Sequence, residues 1–537
     1  MGSTFMGLEA SKRGLFTQQS ALYTTGHNIS NANTLGFSRQ RVNMEATLGY
    51  PGSGLNAPKT AGHIGTGVQA QSVQRIRDAF IDRQFRQEST KLGYWDSKAT
   101  AISQMEDIMA EPSEFGLNKS LDLFWKSLHD LSTNPDNAGA RKVVIQRGQH
   151  VADSFNYMHK QLSDIRGNLG NEIKISTEAI NSKLKQIADL NAQIKAVEPN
   201  GYMPNDLYDA RDVLIDELSQ YFPIEVERVP SGGNALSIAE GSLTVRIKLN
   251  GDTIDLVNGK DYATLETMDS DTPPKMLDGT NPAVGFGQIT IVPRGNVTGT
   301  GNNKPPLTPM TFPIEYGDLE KSKGKLISLI DSFGHIDPLD PTKLSGTYPD
   351  MLANLDKLAN AFMEAFNEMH NMGEVLPPAT KPVAGNDFFV GNGAAGIKVS
   401  DEIIKNPSYI AASDGTGEEG NGKWAIELAN VKFLAINDDP GPPPIIRLGG
   451  ANIQSFYQGV IGKLGVDGEQ AVRLAYNSST IQLTVENNRA SVSAVSLDEE
   501  MTNMITFQQA YNANARMITV IDETLDKIIN GMGRVGL

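Results

Sequence analysis

Two stretches of the chain match the glycine pattern G-x-G-x-x-G, GNGAAG at 391–396 and GTGEEG at 415–420. In a dinucleotide site those glycines let backbone N–H groups approach a pyrophosphate at the start of a helix. The first match follows the apolar run DFFV, but IKVSDEI comes next and reads as strand or turn. The second puts Glu418 and Glu419 where a pyrophosphate would sit, which is repulsive. Both are therefore expected to be turns. The seven histidines, His27, His63, His129, His150, His159, His335 and His370, form no H-E-x-x-H or other close metal pair. His150 and His159, nine apart on a helix, would stand about 13 Å from each other. No phosphate loop of the G-x-x-x-x-G-K-[ST] type and no G-x-S-x-G elbow occurs. Carboxylates are plentiful, yet none is singled out as an acid/base pair. No catalytic, cofactor-binding or metal-binding residue is expected, and the chain is read as a non-enzyme.

The composition narrows the classes further. At about 100–200 residues per domain, 537 residues imply three or four domains. A net charge of −16 and a pI of 5.0 argue against nucleic acid and anionic membranes as partners. There are no cysteines, so disulfides, thiolate metal sites and thiol catalysis are excluded. No apolar run reaches 18 residues. The start, MGSTFMGLEASKRGLF, lacks a basic segment followed by an apolar core, and Met6 stands where myristoylation wants Ser or Thr. The glycosylation sequons at Asn28 and Asn296 are read as accidental.

What remains is NISNANTLGFSR at 28–39. Asn and Ser bond their own backbone and end helices, and Gly36 permits a left-handed residue. One reading is a plain helix stop. The other is a corner between a terminal helix and an extended arm, with Phe37 and Arg39 contacting a neighbour and Asn28, Asn31 and Asn33 shaping the turn.

The surrounding elements follow from periodicity. Leu8, Leu15, Leu22 and Ile29 form a thin helical stripe over 5–30, too weak to hold a helix alone. Helices are expected over about 78–110, 117–133, 138–197 and 206–220. The third, 60 residues long, reads as a rod-like coiled coil weakened at Gly148, Gly167 and Gly170. IEVERV, ALSIAEGSLTVRIKL, DTIDLV and QITIVP read as strands of an antiparallel insert. Helix returns over 317–375, 376–449 is mixed and loop-rich, and 450–496 is helical again. The last helix carries Met501, Met504, Tyr511, Ile518, Leu525 and Ile529 at intervals of 3, 4 and 7. Residues 1–43 are net positive and 497–537 net negative, which favours pairing of the ends.

The fold class is thus α+β and multidomain. Discontinuous helical coiled-coil and bundle domains draw on both chain ends and carry inserted antiparallel β-rich domains. The expected division is 1–77 (terminal helix and arm), 78–221 (bundle), 222–316 (β insert), 317–375 (returning helix), 376–449 (mixed outer domain), 450–496 (bundle) and 497–537 (terminal helix).

ALYTTGHNISNANTLGFSRQRV at 21–42 resembles the N-terminal segment of the bacterial flagellar axial proteins, the rod, hook and hook-associated family. SLDEEMTNMITFQQAYNANARMITVIDETLDKIINGM at 496–532 resembles their paired terminal helix. GKLISLIDSFG at 324–334, LDKLANAFMEAFNEMH at 355–370 and NDFFVGNGAAGIKVS at 386–400 are similar to the middle of the hook–filament junction branch. The resemblance implies a structural flagellar component, an adaptor between hook and filament, exported unfolded through the flagellar apparatus to the cell exterior. It implies a ring-like homo-oligomer that meets the hook protein and the next junction protein and uses an export chaperone. It implies an assembly interface formed by Leu8, Leu15, Leu22 and Ile29 with Met501, Met504, Phe507, Tyr511, Ile518, Leu525 and Ile529, beside the corner residues. The alternatives are another axial member such as the hook protein, or a secreted adhesin or glycan-binding protein built on the β insert.

Overall fold

The structure is a computed structural model. It describes residues 4–51, 64–109, 116–249, 252–271, 275–277, 284–294, 312–319, 322–340, 343–375, 386–414, 420–436 and 448–531. In chain order the elements are helix α1 (Thr4–Ser30), strands β1 (Gln40–Ala46) and β2 (Val68–Arg75), then helices α2 (Ala79–Met109), α3 (Leu117–Thr133), α4 (Ala138–Val197) and α5 (Asn205–Leu218). Strands β3 (Ile224–Val229), β4 (Ser242–Leu249), β5 (Asp252–Asn258), β6 (Asp261–Asp269), β7 (Phe286–Arg294) and β8 (Phe312–Glu315) follow. Next come helices α6 (Tyr316–Leu319) and α7 (Lys325–Phe333), strands β9 (His335–Ile336) and β10 (Leu344–Ser345), and helix α8 (Thr347–Met372). Strand β11 (Phe389–Val390), helix α9 (Gly393–Gly396), strand β12 (Lys398–Val399) and helices α10 (Asp401–Lys405), α11 (Lys423–Asn430), α12 (Ile453–Ser493) and α13 (Leu497–Gly531) complete the chain.

Helix α4 is the spine of the body. Asn137 caps it, its side chain accepting from the N–H groups of Gly139 and Ala140. Pro199 and the left-handed Gly201 stop it. Buried residues recur at intervals of 3 and 4 from Val144 to Ile194, and at 60 residues the helix is about 90 Å long. The sequence suggests a rod-like coiled-coil element and not a globular core helix. Instead α4 is sunk against α3, α5, α7, α8 and the sheet. Gly148 does not weaken it: an added Cβ there would lie 2.9 Å from Phe388, so the glycine serves close packing.

The inserted sheet runs β10-β9-β7-β6-β5-β4-β3, with β8 on β7, and its contacts are antiparallel apart from β7 with β9. Strand β5 pairs β6 only at the hairpin end, Val257 with Tyr262 and Asn258 with Asp261. Two amides of α4 bind backbone groups of the sheet, one on β6 and one on β4. Asn181 takes both backbone groups of Leu265 (2.8 and 2.7 Å), and Asn191 takes both of Leu243 (2.8 and 3.0 Å). Buried backbone groups need such partners. The expected strand at 235–249 begins only at Ser242, and β6 is a strand that the pattern reading passed over.

At the other end of α4, Phe124, Phe155, Phe362, Phe366, Phe388 and Phe389 pack with centroids mostly 5–6 Å apart. His370 lies in this core, its Nε2 accepting from the Ala411 N–H at 3.1 Å. Burial, and secondarily the Arg141 charge, push its pKa down to about 4. The unfolded chain therefore binds a proton that the native one refuses between roughly pH 6.5 and 4. Stability should fall through that window as pH drops, by roughly 3 kcal/mol in all, and level off below it. Urea midpoints at pH 7 and 4.5 check this, and His370→Asn should flatten the difference.

A candidate assembly interface at the paired chain ends

Helix α1 runs antiparallel to α13. Gly7 faces Ile521, Gly14 faces Asn514 and Asn28 meets Glu500. The buried α1 positions are Gly14, Thr17, Ala21, Thr25 and Asn28, so the seam consists of small and polar residues. Leu8, Leu15, Leu22 and Ile29 are half-buried and flank that seam, one position along from Gly7, Gly14, Ala21 and Asn28. On α13, Met504, Phe507, Tyr511, Ile518 and Leu525 are half-buried, as are Asn514 and Ile521. Met501 and Ile529 are 56% and 73% exposed, so the intrachain pairing expected for them does not occur. Both lie off the period-seven line through Glu500, Phe507, Asn514 and Ile521.

The stretch 28–39 is the corner joining this rod to the rest. Asn28 is buried: its Oδ1 accepts from the Gln40 N–H (3.0 Å), while its Nδ2 donates to the Gln40 carbonyl (2.8 Å) and to Glu500 (3.2 Å). With its amide spent this way, it is no glycan acceptor. The Asn296 sequon lies outside the described residues. Asn31 donates to the His27 carbonyl at 3.1 Å and accepts from Thr34 at 3.2 Å, closing the turn, while Asn33 is exposed. Gly36 has φ +78°, and a Cβ there would overlap Val213 of α5. Gly36→Ala combines a left-handed strain with that clash and should cost about 1–3 kcal/mol, read as a lower urea midpoint for this region.

Phe37 and Arg39 were expected to reach a neighbour, but here both are used within the chain. Phe37 packs edge-on against His27 at 5.4 Å. Arg39 donates to Glu499 (2.9 and 2.6 Å) and Glu500 (2.7 Å), and its N–H to the Ser493 carbonyl (2.8 Å). These hydrogen bonds, with the Glu499 bond the largest influence, raise its pKa above the ordinary guanidinium value. The opposite charges of the two ends meet at this corner.

Below the corner, α5 presents Asp206, Asp209, Asp212 and Asp216 at intervals of 3, 3 and 4, one face of a helix. Asp206 meets His27 (3.2 Å) and Gln40 (2.9 Å), and Asp209 accepts from the Ser38 N–H (2.9 Å) and Oγ–H (2.7 Å). Arg75 at the end of β2 is buried and donates to Asp209 (2.8 Å), Asp212 (2.6 Å) and Glu240 (2.6 Å). Arg77 reaches Asp82 (2.7 Å) and Asp212 (3.0 Å), and Arg86 reaches Asp212 (3.2 Å) and Asp216 (2.7 Å). Arg489 of α12 closes the cluster on Asp216 (2.8 Å) and Asp82 (3.4 Å). Burial alone would raise the Asp212 pKa, but Arg75, Arg77 and Arg86 outweigh it and hold the carboxyl far below the usual range. Asp209 is the opposite case, where desolvation wins and lifts its pKa. No single residue type marks this cluster in the sequence. The acidic stripe of α5 was its one legible sign.

The glycine loop at 391–396 offers no phosphate cradle. Gly393 and Ala394 donate to Asn360 and Asp356 of α8, both at 2.7 Å, so the chain's own carboxylate occupies the loop. The loop at 415–420 lies almost wholly outside the described residues. Among the described residues no group of three His, Asp or Glu side chains could hold a metal, and no helix is long and apolar enough to cross a membrane.

The family described as "Flagellar hook-associated protein FlgK helical domain" matches residues 102–389. The family "Flagellar basal body rod FlgEFG protein C-terminal" matches 487–531, across the end of α12 and all of α13. Flagellar hook-associated protein 1 of Bacillus subtilis (strain 168) is 42% identical over 551 aligned residues, 99% of each chain. The protein of that name from Escherichia coli (strain K12) is 25% identical, over 96% of this chain and 98% of its own. The structure titled as the flagellar hook junction protein FlgK from Burkholderia pseudomallei shares the fold, with a TM-score of 0.53 and 13% identity. It covers 76% of this chain and 100% of its own. A helical spine of this kind, a rod built from both ends and a likeness spanning the full length place the chain in the flagellar hook-associated protein 1 family.

Proposed function

We propose that this chain is a non-catalytic structural component of the bacterial flagellum that forms the hook–filament junction, outside the cell. The observation that carries this reading is the full-length 42% identity to a hook-associated protein 1, in a chain whose two ends pair. Copies associate through the rod. Leu8, Leu15, Leu22 and Ile29 on one helix, with Met504, Phe507, Tyr511, Ile518 and Leu525 on the other, are only half covered within the chain. The exposed Phe16, Tyr23, Met501 and Ile529 flank them. Apolar surface of that extent favours burial by sister copies in a ring. The hook protein and the next junction protein are the neighbours along the axis, and an export chaperone covers α13 before assembly. No cofactor enters this reading.

Removal of residues 500–537 should leave the body folded and exported but abolish incorporation at the hook tip. Electron microscopy of flagella from a deletion strain carrying the truncated chain tests this, and filaments of normal length would refute it. Immuno-labelling along the hook instead of at its end would favour another axial role.

A further inference from the structure

The corner 36–38 and α5 meet through few groups, and most are polar. Ser38 gives two hydrogen bonds to Asp209, His27 faces Asp206, Gln40 just beyond the corner donates to Asp206 and accepts from Asn205, and Gly36 lies against Val213. Asp209 does not depend on the corner for its charge balance, because Arg75 donates to the same carboxylate at 2.8 Å. Were Ser38 to leave, no unpaired buried charge would remain, which is the usual heavy cost of breaking such a contact. The groups that release would uncover, a serine, a histidine and aspartates, hydrate readily. On the rod side the corner holds together independently: Asn28 clamps Gln40, and Arg39 binds Glu499 and Glu500. On the body side the arginine cluster stays closed around Asp212. The chain crosses from α12 to α13 through Ala494, whose backbone is extended, so a bend there opposes no helix.

We propose that residues 36–38 form a releasable latch on α5, with the Arg75 cluster as the fixed pivot, so that the paired rod can change its angle to the body while both remain folded. The latch is a property of the isolated chain and is independent of where that chain assembles. It gives each copy an orientational freedom that a subunit packed between unlike neighbours can use.

The absence of cysteine makes a direct test available. A Cβ built on Gly36 lies 3.6 Å from the Val213 Cβ, within the 3.5–4.5 Å span of a disulfide. Gly36→Cys with Val213→Cys in the full chain, oxidised, closes the latch, and reduction reopens it. The readout is hydrogen–deuterium exchange resolved to single amides. The Ser38 N–H, which donates to Asp209, reports release, and the Val42 and Val73 pairing in the β1–β2 ladder reports integrity of the arm. In the unmodified chain Ser38 should exchange at least about tenfold faster than ladder amides. Oxidation of the cysteine pair should slow Ser38 by a similar factor relative to the reduced form. Asp209→Asn, which needs no new disulfide, should speed Ser38 by at least about tenfold while α4 and α8 amides keep their rates. The latch is refuted if Ser38 exchanges in step with the ladder, or if the oxidised pair leaves its rate unchanged.

Discussion

Asp212→Ala is expected to lower the stability of the α2–α5–α12 region by about 3–5 kcal/mol. Asp212 is buried and accepts from Arg75, Arg77 and Arg86 at 2.6, 3.0 and 3.2 Å. Removing it leaves three guanidinium groups, with Arg489 and Arg211 close by, facing one carboxylate fewer in a site that excludes water. The remaining acids are already committed, Asp209 and Glu240 to Arg75 and Asp82 and Asp216 to two arginines each, so none is free to replace the lost carboxylate. The measurement is the urea midpoint followed through tryptophan fluorescence and through exchange of α5 amides. The α8 aromatic core should keep its own transition, since separate parts of a multidomain chain need not unfold together. An unchanged midpoint would mean that the cluster is dispensable and that the body is held by apolar packing alone. The substitution also bears on the pivot, since loss of the cluster should free the whole β1–β2 arm and not the corner alone.

Gly14→Leu should separate the rod and block incorporation, with the body intact. A Cβ on Gly14 would sit 2.9 Å from both polar atoms of the Asn514 side chain, and leucine adds three more carbons behind it. Helices of 27 and 35 residues meet along this seam, and neither has a broad apolar face of its own. An isolated helix with so thin a stripe is marginal in water. Loss of the close approach should therefore cost helix as well as pairing. Circular dichroism should show a drop matching these two helices, and a deletion strain carrying the variant should lack filaments. Gly26→Ala is the control. A Cβ there meets nothing within 4 Å, so this change should be neutral or slightly stabilising. Equal damage from both would show that glycine was needed for flexibility and not for contact.

How far these features were legible differs from element to element. Periodicity alone placed α2, α3, α4 and α5 to within a residue or two, because intervals of 3 and 4 hold whether a helix is buried or free. For the same reason it misjudged α4. A stripe on a helix says that something covers it, not whether the cover is a partner helix or a sheet, two amides and an aromatic core. The strand β6 was passed over because YATLETMD mixes Thr, Glu and Met with its apolar residues. Its pattern became readable only once α4 covered one face. In the rod, large apolar residues drew attention to Leu8, Leu15, Leu22 and Ile29, whereas the line of contact is Gly7, Gly14, Ala21 and Asn28. Close helix packing selects small residues, which carry no hydrophobic signal. Arg39 is read from the sequence as a contact to a neighbour, whereas its partners within the chain, at 499 and 500, are more than 450 positions away, and spacing cannot find them.

By itself the sequence determined the class: acidic, cysteine-free, helical at both ends, with a β insert and a chemistry-poor complement of motifs. Those properties are local or summed over the chain, so order along the polymer is enough to state them. Only the tertiary structure decided that small residues line the rod, that the asparagine-rich turn clasps α5, and that arginines from both halves of the chain converge on one cluster of aspartates. Each of these rests on distances between residues far apart in sequence, and ion pairs and close approaches exist only where folding brings such groups within a few ångströms.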